Sequence, residues 1–240
     1  MGVEMHVLKS VIAAVGAFAF MAVSLTSTAS AGDYKGDFMI RAGVSVVMPD
    51  TDAKVFSNGG YLGPAYDADV KNKWIPSATL TYFFTDNLAA ELFCCFSKHD
   101  IDGKGALAGA DLGDTWIFPP IVTLQYHFTG MGRLKPYVGA GVQWIHFFSE
   151  GRSPDLGGKL DLDDAFGFVL QAGIDIEIGG GWYLNADVKK SFIDTDASWK
   201  GTPFAADVDL DPWIISANVG YRFNLSDIFG RREASYEPLK

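Results

Sequence analysis

FGFVLQAGIDIE occupies residues 166–177. Phe166, Phe168, Leu170, Ala172, Ile174 and Ile176 recur at every second position, and Gly167, Gln171, Gly173, Asp175 and Glu177 fall between them. Successive side chains of a strand point to opposite faces, so this stretch has one greasy face and one polar, partly charged face. Its length suits a tilted strand of about 10 residues crossing a bilayer. Gly179-Gly180-Gly181 stops it, and a second alternating run starts at once. There Trp182, Leu184, Ala186 and Val188 oppose Asn185, Asp187, Lys189 and Ser191.

The same period recurs from Gly36 onward, giving eight segments in all. Phe38, Ile40, Ala42, Val44 and Val46 alternate with Arg41, Gly43 and Ser45. Ala78, Leu80, Tyr82 and Phe84 alternate with Ser77, Thr79 and Thr81, and Ala90, Leu92, Cys94 and Phe96 face away from Glu91. Further segments run through 122–128 and 138–144, and the last sets Trp213 to Phe223 against Ser216, Asn218, Gly220 and Arg222. Links after the second, fourth and sixth segments are short, around 85–87, 130–134 and 179–181. The links after the other segments (49–73, 98–115, 149–163 and 194–211) are long and polar. Short turns on one rim and long loops on the other are the layout of an antiparallel transmembrane β-barrel. An even strand count puts both barrel ends at the short-turn, periplasmic rim.

The N-terminal stretch reads as a processing signal over residues 1–31. Lys9 precedes the apolar run Val11 to Leu25, and Ala29-Ser30-Ala31 has the form of a signal-peptidase site. The run is shorter than the ~20 residues of a membrane-spanning helix. A net charge of −10 argues against nucleic acid as a partner, because a phosphate backbone needs clustered Lys and Arg. Cys94 and Cys95 are adjacent, point to opposite faces of a strand and read as small apolar fillers.

Alternation alone does not say which face is outside, since a soluble calyx shows the same period with its greasy face inward. The polar face decides. Arg41, Glu91, Asp175, Glu177, Asp187, Lys189 and Arg222 share it with many small residues, as a narrow lumen requires. Aromatics collect near strand ends of the other face, including Tyr82, Phe84, Tyr126, Phe128, Trp182, Trp213, Tyr221 and Phe223. That distribution matches interfacial girdles. The expectation is an all-β, eight-stranded antiparallel barrel over 32–223 in the bacterial outer membrane. Its partners would be outer-membrane lipid, lipopolysaccharide and the barrel assembly machinery.

Five stretches, in order, carry a family resemblance: GDFMIRAGVSVVMP, LTYFFTDNLAAELF, WIFPPIVTLQYHF, KPYVGAGVQWIHFF and LDPWIISANVGYRF. Together they resemble the OmpW family of outer-membrane proteins from Gly36 to Phe223. The resemblance implies a narrow eight-stranded barrel proposed to pass small hydrophobic molecules, with receptor roles for phage or colicin in some members. Family members usually stop at the aromatic that Phe223 represents. Here residues 224–240, NLSDIFGRREASYEPLK, follow as a polar extension, expected in the periplasm.

Eight strands leave an interior only just wide enough for side chains, so a general water-filled pore is unexpected. The leading expectation is a conduit for passive entry of small apolar solutes from the long-loop side, with exit sideways through the wall. Arg41 and Arg222, on strands adjacent after closure, are expected to pair with Glu91, Asp175, Glu177 or Asp187 as a plug, with Lys189 in the same network. A salt-bridged lumen that merely stabilises the barrel is the competing reading of these charges. Trp74, Trp116, Ile117, Phe118, Trp199 and Phe204 are candidate apolar gate residues near the loop rim, against ordinary girdle or loop packing. Asp207, Asp209 and Asp211 begin like a calcium loop, but Pro212 and Asn218 stand where Gly and Glu are needed. His99, His127 and His146 lack metal-ligand spacing, and no nucleophile–base arrangement stands out. Neither a cofactor nor enzymatic activity is expected. The rival reading is a structural or receptor-type surface barrel without transport.

Overall fold

The computed structural model describes residues 37–224; the signal segment and the extension from residue 225 onward lie outside the described residues. Eight barrel strands carry the chain: β1 (Asp37–Met48), β2 (Lys73–Phe83), β3 (Leu88–Cys94) and β4 (Ile121–His127), then β5 (Leu134–Phe148), β6 (Ala165–Gly179), β7 (Trp182–Phe192) and β8 (Trp213–Asn224). Each pairs antiparallel with its neighbour in sequence. β8 closes the ring on β1, from Asp37↔Asn224 to Met48↔Trp213.

The inside-out partition of side chains fixes which face is outside. Ile40 is 47% exposed, whereas Arg41 beside it is 1% exposed. Val44, Leu124, Val142 and Phe166 stand outward on other strands, while Gln125, Gln143, Gln171 and Asp175 are buried inside. A large exposed apolar belt around a polar interior is stable only where lipid covers the belt. Near the short-turn rim the girdle is nearly continuous: Phe38 packs on Tyr82 (4.8 Å) and Phe223 (6.0 Å), and Trp182 on Tyr221 (4.9 Å). Nearer the long-loop rim Phe96 stacks on Phe118 at 4.8 Å.

The short turns follow from local chemistry. The Thr85 hydroxyl oxygen accepts the Asn87 and Leu88 N–H groups between β2 and β3. Gly179, Gly180 and Gly181 all have positive φ between β6 and β7, a run that side chains disfavour.

The long links differ from the polar loops expected. They fold as strands that prolong the barrel outward. Ser97–Gly105 pairs with Asp111–Phe118 and with Tyr66–Val70, and Asp194–Lys200 pairs with Phe204–Asp209 and Lys159–Leu162. The reason is alternation hidden in a polar composition. Thr195, Ala197 and Trp199 turn inward while Asp194, Asp196 and Lys200 face water. The extension has its own core of Val55, Leu112, Leu160, Trp199 and Val208.

Small inward residues let the tightly curved strands approach. A methyl group at Gly141 would overlap the Val122 carbonyl oxygen and come 2.6 Å from Thr123 Cα, both backbone atoms of β4 that cannot swing away. Gly141→Ala is therefore expected to lower the stability of the folded barrel by about 1–3 kcal/mol, the usual cost of overpacking. Urea titration of the heat-modifiable band on gels measures this, and an unchanged midpoint would contradict the close packing of β4 on β5.

Candidate functional site

A layer of charge crosses the lumen. β1 supplies Arg41, β3 Glu91, β6 Asp175, and β7 both Asp187 and Lys189. All five are inward by parity and at most 6% exposed. Arg41 grips Asp175 with two bonds, Nε to Oδ1 at 3.0 Å and Nη2 to Oδ2 at 2.6 Å, and reaches Glu91 at 2.8 Å and Thr81 Oγ1 at 2.6 Å. Lys189 pairs with Asp187 at 2.6 Å and Glu91 at 3.1 Å. Glu91 thus bridges the two cations.

Neutral groups complete the layer. The Gln171 amide donates to Glu91 (2.9 Å) and Asp187 (2.7 Å), the Tyr137 hydroxyl donates to Asp187 (2.7 Å), and the Asn185 amide donates to Asp175 (2.9 Å). Buried ions are tolerated only when paired and hydrogen-bonded, and here every carboxylate has both kinds of partner. The bonds span the lumen between strands that are not neighbours in the sheet.

Two expected members stand elsewhere. Arg222 lies opposite Met39 in register, nearer the periplasmic rim than Arg41, and pairs with Asp37 at 3.2 Å while covering the Tyr183 ring. Glu177 lies one register step from the last turn, opposite Tyr183, and joins none of the bonds of the layer. Two positions along a strand move a side chain by about 6.5 Å, enough to separate Arg222 from the Arg41 layer.

Outward of this layer lies an apolar cavity of about 90 Å³, several times what one water occupies. Phe93 forms part of its floor, with Lys189 Nζ 4.9 Å from the ring centroid. Ile75, Ile145 and Ile214 line it from the barrel, and Leu160, Trp199 and Val208 from the extension. Of the gate candidates, Ile117 and Trp199 line it. Trp74 and Trp116 point outward, 66% and 41% exposed, and Phe118 stacks outside on Phe96. Phe204 packs against the extension core without lining the cavity. Parity explains this: 116, 117 and 118 alternate, so one of them faces in.

The lining residues missed in the sequence carried a readable signal. The polar face turns apolar toward the long-loop rim, from Thr79 and Ser77 to Ile75, from Glu91 to Phe93, and from Ser216 to Ile214. Among the described residues no group of three or more His, Cys, Asp or Glu is placed to hold a metal ion, and Cys94 and Cys95 are free thiols.

Comparison with known proteins follows the same lines. The OmpW family model matches residues 34–223. Outer membrane protein W of Vibrio cholerae is 33% identical over 211 residues, covering 83% of this chain and 94% of the relative. A "dibenzothiophene metabolism operon protein", PahQ of Pseudomonas aeruginosa, is 31% identical, over 76% of this chain and 87% of its own. The crystal structure of the outer membrane protein OprG from Pseudomonas aeruginosa superimposes with a TM-score of 0.73 at 31% identity, covering 81% of this chain and 99% of that one.

Removing one member of a buried ion pair leaves the other uncompensated. Arg41→Met is expected to cost about 3–5 kcal/mol, and the double change Arg41→Met with Asp175→Asn less than Arg41→Met alone. Urea unfolding from lipid vesicles checks the order, and a double variant less stable than the single one would contradict the pairing.

Proposed function

The chain belongs to the OmpW family and resides in the bacterial outer membrane, and on that premise we propose that it admits small apolar solutes passively from outside. The supporting observation is the order of surfaces along the lumen, an apolar cavity ending on a fully paired charge layer. An apolar solute gains by leaving water for the cavity and loses by entering the charged layer. It therefore leaves sideways into the bilayer.

An interval in the strand pairing supports a place for that exit. The β2–β3 ladder ends at Ala78↔Cys94, although β2 continues outward to Lys73. The β3–β4 ladder ends at Phe93↔Ile121, and pairing resumes at Ser97↔Ile117. Pro119 and Pro120, which have no N–H to donate, lie across that interval. Ile75, Cys95 and Pro119 border the interval and line the cavity, so the apolar space reaches this part of the wall. The name of PahQ ties that relative to an operon for metabolism of an apolar aromatic compound, which accords with this reading. We read the protein as a non-enzyme.

Cells lacking the protein and then regaining it are expected to differ in uptake of a small apolar fluorescent probe, with faster uptake on its return. Ala197→Phe, which fills the cavity, should bring uptake back to the level of cells without the protein while the heat-modifiable barrel persists. Unaltered uptake in cells holding a folded barrel would favour a structural or receptor role.

A further inference from the structure

The cavity is apolar but not uniformly so. His99 enters it from the extension strand Ser97–Gly105 and is 5% exposed. Its Nε2 sits 2.8 Å from Ser97 Oγ, and among the described residues no group partners its Nδ1. Thr51 Oγ1, on the same lining, likewise has no partner among the described residues. Buried polar atoms are nearly always hydrogen-bonded, so one that lines a cavity without a protein partner is open to water or a guest. Among the described residues no Lys, Arg, Asp or Glu lines the space, so an ionised guest would be desolvated without compensation.

We propose that the cavity selects, among small apolar solutes, those carrying one neutral hydrogen-bonding group, such as a phenol, alcohol or ketone, and that His99 Nδ1 receives that group. This rests on the cavity being the solute site. The imidazole serves either chemistry. With Ser97 donating to Nε2, Nδ1–H donates to a carbonyl; with Nε2–H donating to Ser97, Nδ1 accepts a hydroxyl proton. The serine hydroxyl rotates to match. A plain hydrocarbon fills the same walls and leaves Nδ1 unserved, so the head group is discriminated by one hydrogen bond. His99 is then a specificity-determining residue.

The test compares toluene with p-cresol, which share a body and differ by one hydroxyl. The folded protein in micelles is labelled at the isoleucine methyls and the imidazole nitrogens, so Ile145 and Ile214 report cavity entry and His99 reports the bond. In the unsubstituted protein p-cresol should fill the cavity at roughly threefold to tenfold lower concentration than toluene, after correction for micelle partitioning, and should shift the Nδ1 signal. His99→Leu should abolish that preference with toluene binding retained, and His99→Gln should restore part of it. A preference that survives His99→Leu, or an Nδ1 signal that p-cresol leaves unmoved, overturns the proposal while the cavity keeps its role. If neither compound moves the Ile145 and Ile214 signals, the reading of the cavity as a solute site fails as well. Should His99→Leu not fold, His99→Gln and the Nδ1 shift in the unsubstituted protein decide.

Discussion

The ion pairs of Arg41 with Asp175 and Glu91 are the interaction around which the rest is arranged. A closed ring of eight strands has room inside only for side chains, and lipid outside demands that apolar groups face outward. Polar residues therefore occupy the lumen, where no bulk water shares their hydration. Each charge placed there requires an opposite charge and further donors, which Lys189, Gln171, Tyr137 and Asn185 supply. The same bonds tie together β1, β3, β5, β6 and β7, so the layer also joins strands that are not neighbours in the sheet.

Much of this was legible from period-two alternation. The eight barrel strands, their turns and the polarity of each face follow from single residues such as Ile40 beside Arg41. Arg41, Glu91, Asp175, Asp187 and Lys189 stood on one face, but parity does not give height, and height separates Arg222 and Glu177 from the layer. Three of the gate candidates, Trp116, Ile117 and Phe118, are consecutive apolar residues, which a strand necessarily splits between its faces. The long links read as loops because Asp, Lys and Gly are scattered through them. The apolar half of the alternation, as in Thr195-Asp196-Ala197-Ser198-Trp199, is what makes them strands.

Those outer strands change what the barrel can do. A ring of eight strands leaves an interior only just wide enough for side chains, whereas the prolonged wall adds Leu160, Trp199 and Val208 above the barrel end and encloses an apolar space. The space ends on charge below and reaches the unpaired interval beside Cys95 and Pro119 at its side. On the proposed route a solute meets a charged floor and a wall of lipid-like polarity. The relation to Outer membrane protein W and OprG places the chain in an outer-membrane family.

Ion conductance through single barrels in a planar bilayer tests the sealed floor most directly. The account predicts no resolved ion current for the unsubstituted protein and stepwise current once Arg41→Met and Lys189→Met together dissolve the layer. Steady current through the unsubstituted barrel, unchanged by those substitutions, would contradict it: the lumen would then be open and no sideways exit required.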